Sequence, residues 1–401
     1  MKVGILTQYY PPEIGAPQAR LSHLVKKLAE RGHEVYVLTA WPNYPIGRIY
    51  PGFRRVLYCE KQGCITIIRT FIYPTQSVKF VPRLLSYLSF VFSSLVTGMF
   101  FLPRLDYLIT ESPPLFLGLS GYLLSRFKKA RWIFNVSDLW PESAVRLGFI
   151  GSGWQLRLGQ ILEAFCYRRT WLVTGQSQEI LRNIQKRFPA VAAYHFSNGA
   201  DPTLFSPDKR SIELRKKLTH NNTCIAIYAG LHGIAQGLDQ LLEAAFQLRN
   251  LDHFLMILVG DGPEKKRLME RSKTMGLANV RFMDPVPYVD MPSLLASSDV
   301  ALVPLKVRLP GAIPSKIYEA MSSALPVVLA GDGEAAQIIK ECQAGYAVSP
   351  GEVSTLTAIL RRLVQDSGTR LFFGRLSRQA VGDRFDRNEI ASRFIDFLER
   401  N

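Results

Sequence analysis

Short apolar runs rich in β-branched residues alternate, almost from end to end of the chain, with longer stretches of helical period, and this alternation leaves few folds open. In the first half the strand candidates are Val3 to Thr7, Val35 to Thr39, Ile65 to Arg69, Tyr107 to Thr110, Trp132 to Val136 and Trp171 to Thr174. In the second half they are Ile225 to Ala229, Phe254 to Val259, Val280 to Met283, Val300 to Val303 and Pro326 to Ala330. Helical segments such as Arg20 to Arg31 and Asp239 to Arg249 lie between most of them. That order implies parallel sheets covered by helices on both faces. With 401 residues, and about 150 residues per domain as the usual size, two doubly wound α/β domains are expected. Asn, Gly, Asp and Pro cluster in Phe196 to Pro207 and mark the joint between them. A last helix is expected over about Arg387 to Arg400.

Charge separates the two halves. The net charge is +16, and residues 1–200 hold 24 Lys and Arg against 10 Asp and Glu, whereas residues 201–401 hold 25 against 23. A basic first half points to an anionic partner: a phospholipid surface, a lipid-linked phosphate or a nucleic acid. The plain alternative is a soluble surface that happens to be basic. Nucleic acid is disfavoured, because the basic residues are scattered without the aromatic interleaving that stacking platforms use. Five cysteines, odd in number and without a C-x-x-C pair, fit a reduced, cytosolic setting. Met1 to Gln8 already reads as a strand, so a structural N-terminus rather than a secretory leader is expected.

Leu84 to Leu102 breaks the pattern. It is a 19-residue run without a charge, bracketed by Arg83 and Arg104, and just long enough to span a bilayer. Ser86, Ser89, Ser93 and Thr97 recur at helical spacing and form one mildly polar stripe. The stripe favours a helix packed on the protein or lying in a membrane interface, with Lys79, Arg83 and Arg104 beside lipid headgroups. A buried hairpin and a true span are the other two readings.

Five segments could carry chemistry. The first strand ends in Gln8-Tyr9-Tyr10-Pro11-Pro12-Glu13-Ile14-Gly15 and leads directly into a helix. In a doubly wound fold, ligands bind beyond the carboxyl ends of strands, and Gly15 would let the backbone approach a phosphate at the helix amides. The loop is not G-x-G-x-x-G, and a Pro-stiffened turn is the bland alternative. The second loop, Ser137-Asp138-Leu139-Trp140-Pro141-Glu142-Ser143, sets two carboxylates four apart around a Trp that could stack on a sugar ring. The bland reading makes Asp138 a helix cap and Glu142 a first-turn charge. In the second half, Gly230-Leu231-His232-Gly233 and Gly260-Asp261-Gly262-Pro263 each close a strand, and together they outline one crevice. Finally, Pro314-Ser315-Lys316-Ile317-Tyr318-Glu319 puts Lys316 and Glu319 on one helix face. A cation near a diphosphate and a carboxylate on ribose hydroxyls would suit a nucleotide-sugar donor, and an exposed ion pair is the alternative.

These segments resemble glycosyltransferase family 4, and within it bacterial enzymes of O-antigen and capsule assembly. The resemblance rests on YYPPEIGAPQAR at Tyr9 to Arg20, SDLWPES at Ser137 to Ser143 and SNGAD at Ser197 to Asp201. It continues with AQGLD at Ala235 to Asp239, VGDGP at Val259 to Pro263 and PSKIYEAM at Pro314 to Met321. It implies the GT-B fold: two Rossmann-like domains facing each other across a cleft, with the C-terminal helix crossing back to the first. On that reading residues 1–203 with 384–401 form the acceptor and membrane-side domain, and residues 204–383 bind the donor.

The resemblance also implies roles. Gly15, Gly230, His232, Asp261, Gly262, Pro263, Ser315, Lys316, Ile317 and Glu319 would bind the donor, with Lys316 neutralising the diphosphate and Glu319 holding the ribose. Asp138, Glu142 and Lys316 would form the catalytic set, and Glu13 and Trp140 would meet the acceptor. The implied reaction is retaining transfer of an N-acetylated amino sugar from a UDP-sugar to a polyprenyl-diphosphate-linked saccharide. It would run at the inner face of an anionic cytoplasmic membrane, without a metal or other cofactor. Two positions depart from the family pattern: the first Glu of E-x7-E would fall at Gly311, and Gln236 replaces a customary Lys. Lys316, assisted by His232, would then be the main positive charge for the diphosphate. A UDP-sugar 2-epimerase of the same fold, and a non-catalytic membrane-binding module, are the competing readings.

Overall fold

A computed structural model describes residues 1–53, 57–77, 80–146, 148, 151, 153–219 and 223–401. Lys79 therefore lies outside the described residues. The chain divides into two compact units, one of Met1–Asn198, Leu309–Ala312 and Asn388–Asn401, the other of Gly199–Arg308 and Ile313–Arg387. The joints fall at Asn198 and Arg387 rather than at 203/204 and 383/384.

The first unit is built on strands β1 (Lys2–Thr7), β2 (Glu34–Ala40), β3 (Tyr58–Gln62), β4 (Ile65–Thr70), β5 (Tyr107–Ser112), β6 (Arg131–Val136), β7 (Leu172–Gly175) and β8 (Ala193–His195). They form one sheet in the order β3-β4-β2-β1-β5-β6-β7-β8, parallel throughout except for β3. β3 is not expected from its composition, because Tyr-Cys-Glu-Lys-Gln has no apolar run. It forms as the exposed, antiparallel edge of a hairpin with β4, where one polar strand can pair without being buried. The three-residue edge strand β8 carries equally little signal.

Helices α1 (Ala16–Glu30), α2 (Phe80–Phe101), α3 (Leu117–Lys128), α4 (Glu142–Arg146), α5 (Trp154–Arg169) and α6 (Gln178–Arg187) complete this part of the chain. On one side of the sheet, Leu21, Leu24 and Leu28 of α1 meet Val3, Ile5, Val35 and Val37. On the other, α2 and α3 bury Phe90 and Leu124 against Leu6, Leu38 and Leu108. α2 is long and apolar enough to cross a membrane, by length and composition. Its polar stripe faces the protein: Thr97 and Thr70 share a hydrogen bond of 2.9 Å, Ser94 and Ser120 one of 3.0 Å, and Ser89 accepts the Tyr73 amide at 2.8 Å.

The second unit holds β9 (Cys224–Ala229), β10 (Phe254–Val259), β11 (Val280–Met283), β12 (Val300–Pro304), β13 (Val327–Ala330) and β14 (Gly345–Val348), all parallel, in the order β11-β10-β9-β12-β13-β14. Its helices are α7 (Ile212–Leu218), α8 (Asp239–Gln247), α9 (Lys265–Thr274), α10 (Met291–Ala296), α11 (Lys316–Ser322), α12 (Glu334–Glu341), α13 (Val353–Gln365) and α14 (Ser367–Ala380). The last helix, α15 (Arg387–Arg400), packs on the first sheet, where Phe394, Ile395 and Leu398 join its core and the Tyr107 hydroxyl donates to the Leu398 carbonyl at 2.9 Å.

In each unit the strand order reverses at one place. β1 lies between β2 and β5, and β9 lies between β10 and β12. Ligands of open α/β sheets bind beyond the carboxyl ends of strands at such a switch point. The loops after β1 and β9 carry the Gly15 and Gly230 segments.

Candidate active site

In the second unit the two glycine loops are locked backbone to backbone. The His232 amide donates to the Asp261 carbonyl at 2.8 Å, and the Glu264 amide donates to the His232 carbonyl at 3.0 Å. The Asp261 carboxylate accepts the Gly262 amide at 2.8 Å, so part of it is taken up by its own loop. Pro263 follows, exposed. One rigid floor results, in keeping with the two glycine clusters of the sequence.

Lys316 opens α11 beside that floor. Its ammonium sits 4.8 Å from the centre of the Tyr228 ring and donates to the Tyr228 hydroxyl at 3.3 Å. Stacking on an aromatic face steadies a cation without neutralising it. Gly230 makes the arrangement possible, because a Cβ there would lie 2.2 Å from Lys316 Cε and 2.3 Å from Nζ, and its φ of 152° suits glycine. Lys316 and Glu319 share a helix face, yet no ion pair joins them among the described residues, so the plain ion-pair reading does not hold. Burial pushes the Glu319 carboxyl up, and the charges of Arg387 and Lys316 pull it back. Ser315 stands at the N-cap of α11 with its side chain unused for capping.

Two expectations change here. His232 is fully buried and its imidazole is pushed down to about 4, by burial first and then by the charge of Lys265. It is neutral at physiological pH and supplies no positive charge, although its ring nitrogens have no hydrogen-bond partner of normal geometry among the described residues. Ile317 points into the apolar core and its amide is taken by the Pro314 carbonyl at 3.1 Å, so its side chain is structural. Gly311, where the first Glu of E-x7-E would fall, has a φ of 72°, a backbone state that a glutamate side chain disfavours.

In the first unit the expected residues rest on a buried network that the sequence did not disclose. Arg20 of α1 reaches Glu111 at the end of β5 with N···O distances of 2.8 and 2.9 Å, and both side chains are 1% exposed. Arg20 also donates to Asn198 and to Ser137, the latter at 3.0 Å. Ser137 and Asn135 donate to Glu111 at 2.6 and 2.9 Å, and Thr174 donates to Asn135 at 2.7 Å. The buried pair is thereby bonded on several sides. The available signal is that Arg20 ends the first quoted motif and Asn198 lies in SNGAD.

Asp138 is the next residue after Ser137, half-buried, and its carboxylate has no hydrogen-bond partner among the described residues. Burial and then the charge of Glu111 push that carboxyl up to about 7, against the opposing pull of Arg20. Glu142 opens α4, as a first-turn acid should. Trp140 packs edge-on against Phe116, with ring centres 5.6 Å apart.

The loop after β1 places two other expected residues. Glu13 is buried and its carboxylate accepts the amides of Asn43 and Tyr44, both at 2.8 Å, and of Tyr10 at 3.2 Å. It organises the loops after β1 and β2, which leaves little of it for an acceptor. Gly15 caps α1 in an extended conformation at φ 171°, which any residue adopts, and a Cβ there would press only on the movable Gln18 amide at 2.5 Å.

The raised carboxyl of Asp138 makes stability depend on pH. A carboxyl whose folded value lies above its unfolded value stabilises the fold fully below about 4, and that contribution is lost as pH rises through about 7. The wild type should therefore lose stability relative to Asp138→Asn between pH 4 and 7. Thermal melts of both proteins over that range check it, and a difference in Tm that stays constant with pH would sink it.

A cavity of about 530 Å³ adjoins the two glycine loops of the second unit, lined by Gly233, Gly237, Asp239, Glu264, Arg267 and Lys306 among others. Most of its charges are paired internally. Arg267 reaches Asp239 at 2.7 Å, and its guanidinium holds that carboxyl down at about 2. Among the described residues no group of three or more His, Cys, Asp or Glu side chains is placed to hold a metal ion.

Comparison with known proteins accounts for both units. Residues 15–198 match the family described as "Glycosyl transferase 4-like domain", and residues 210–380 match "Glycosyl transferases group 1". WcaI of Escherichia coli K12, named as a putative glycosyl transferase of colanic acid biosynthesis, is 29% identical over 383 residues, covering 90% of this chain and 92% of its own. Among solved structures, sucrose-phosphate synthase from Thermosynechococcus elongatus aligns with a TM-score of 0.79 at 17% identity, covering 100% of this chain and 98% of that one. Anabaena HepE in complex with UDP-glucose aligns with a TM-score of 0.73 at 19% identity over 100% of both chains. The chain thus belongs to the glycosyltransferases of the GT-B fold, in which a 4-like domain is joined to a group 1 domain.

Proposed function

We propose that the protein transfers a sugar, an N-acetylated amino sugar, from a UDP-sugar to a polyprenyl-diphosphate-linked saccharide in bacterial surface polysaccharide synthesis, with retention of anomeric configuration. The observation that carries this reading is Lys316, held unneutralised over Tyr228 beside two interlocked glycine loops at the switch point of the second sheet. An anionic diphosphate is the ligand that such a cation and such a floor suit. That HepE is seen in complex with UDP-glucose and that WcaI is named for colanic acid biosynthesis both support it.

On this reading the acceptor hydroxyl attacks the anomeric carbon on the face from which the diphosphate departs. The C1–O bond to the acceptor forms as the bond to the β-phosphate breaks, and the leaving phosphate oxygen takes the hydroxyl proton. Lys316 stabilises the charge that develops on the diphosphate, and Glu319 receives the ribose hydroxyls. Asp138, with its carboxyl near half-protonation at neutral pH, orients the acceptor hydroxyl rather than acting as a strong base, and Glu142 lies one helical turn on. Alignment carries most of the acceleration, and the transfer needs no metal. The work takes place at the cytoplasmic face of the membrane, where the basic first unit meets anionic lipid.

The test is a labelled-donor assay. Membranes that supply polyprenyl-linked acceptors are incubated with a panel of radiolabelled UDP- and GDP-sugars, and label is counted in the organic phase. One UDP-sugar should label lipid. If a UDP-sugar binds and no donor labels lipid, a soluble acceptor or the epimerase replaces this reading.

A further inference from the structure

We infer that α2, α3 and α5 together form one docking face that lies flat on an anionic lipid bilayer, so that α2 rests in the interface instead of crossing it. The inference deepens the function proposed above, in which the acceptor is lipid-linked, by naming the surface that meets the lipid.

Three observations carry it. Of the 25 large apolar residues that are exposed in the described chain, 14 lie on these three helices. On α2 they are Val81, Leu85, Leu88, Phe92, Val96 and Met99, spaced three or four apart along one stripe, with Phe100 and Phe101 at its end. Leu119, Leu123 and Phe127 continue the stripe on α3, and Trp154, Leu158 and Ile161 on α5. Phe92, Phe100 and Trp154 are 71%, 80% and 69% exposed. Such a run of outward aromatic and aliphatic side chains is far beyond the scattered apolar residues of an ordinary surface.

The helices are also held side by side. α3 packs between α2 and α5 on the same side of the sheet, with Gly98 of α2 closed against Leu124 of α3 and Gly118 of α3 against Cys166 of α5. Their stripes therefore make one surface. Lys128 of α3 ties the pair further, since its ammonium donates to the Met99 carbonyl at 2.8 Å and to that of Leu102. With the inner side of α2 bonded to Thr70 and Ser120, a span would tear the helix out of its own core.

Charge names the occupant. α2 and α3 contain no acidic residue, and the single acid of α5, Glu163, is buried and paired with Arg187 at 2.7 Å. Arg104, Arg126, Lys129, Arg157, Arg168 and Arg169 are exposed on or beside the face. Apolar area rimmed by uncompensated cations matches acyl chains under anionic headgroups. Two copies of this face would bring like charges together, which disfavours self-association.

The experiment is sedimentation of the full chain with vesicles of phosphatidylglycerol in phosphatidylcholine, against phosphatidylcholine alone. Single substitutions Phe92→Glu on α2, Leu123→Glu on α3 and Leu158→Glu on α5 are compared with Leu371→Glu on α14. All four sites are already exposed, and a thermal melt and circular dichroism spectrum unchanged from wild type show that each variant is folded. Each of the first three should weaken binding to anionic vesicles about tenfold or more, and Leu371→Glu should leave it unchanged. Alkaline carbonate should release the wild type from membranes.

Equal binding to phosphatidylcholine alone, indifference to the α3 and α5 changes, resistance to carbonate, or dimerisation without vesicle binding would each overturn the inference. Vesicle binding requires no sugar transfer. A lipid-docked protein that labels no lipid would count against the proposed reaction alone, and transfer without docking would count against the face alone.

Discussion

Replacing Lys316 by alanine should lower kcat for sugar transfer by about a hundred- to a thousandfold, the usual cost of removing one group aimed at charge that develops in the transition state. The effect should be at the upper end here. His232, the residue that could have shared the task, is neutral, because burial and the neighbouring Lys265 hold its imidazole down at about 4. Lys316→Arg should recover little. A planar guanidinium needs room, and the Gly230 backbone packs so closely on the lysine stem that even a Cβ there would lie 2.2 Å from Cε. Gly230→Ala should imitate Lys316→Ala for the same reason, by displacing the ammonium from Tyr228 without removing it. Steady-state kinetics on the labelled donor, with melting curves to show intact folding, measures all three. A Lys316→Ala enzyme that keeps kcat within about threefold of wild type would remove Lys316 from the reaction.

The second large effect is on stability. Arg20→Ala leaves Glu111 at 1% exposure with its main counter-charge gone, and breaking a buried pair from one side costs about 3–5 kcal/mol. For a unit of this size that corresponds to a fall in Tm of roughly 10 °C. Glu111→Ala should cost as much, by stranding the guanidinium. Arg20→Met combined with Glu111→Leu should restore part of the loss, because no charge is then left unpaired, while Asn135, Ser137 and Asn198 each lose a partner. Scanning calorimetry on the three variants separates these cases. Losses that simply add in the double variant would mean that the two residues act independently.

The strand-and-helix order is legible in the sequence because β-branched runs and helical periods are local properties, each set by how one segment hides its own apolar side chains. β10, Phe254–Val259, can be located to the residue, and α15 to within its ends. Edge elements such as β3 and β8 escape, because their pairing is fixed by a neighbour rather than by their own composition. The stripe of Ser and Thr on α2 is likewise visible as a period, and the structure decides which way it faces, toward Thr70 and the sheet.

The candidate site divides along the same line. The residue types and their spacing determine where chemistry could lie: glycine loops at strand ends, Lys316 three positions before Glu319, and Asp138 four before Glu142. Whether those groups are charged, and what holds them, depends on residues far away in the chain. Arg20 and Glu111 are 91 positions apart, yet both act on the proton affinity of Asp138, the carboxylate raising it and the guanidinium lowering it. His232 is neutral through burial that no local pattern encodes, and Glu13 turns inward because three backbone amides converge on it. Periodicity along one segment is written in the sequence, whereas desolvation and counter-charge are sums over everything that the fold brings near, so only the tertiary structure could set them.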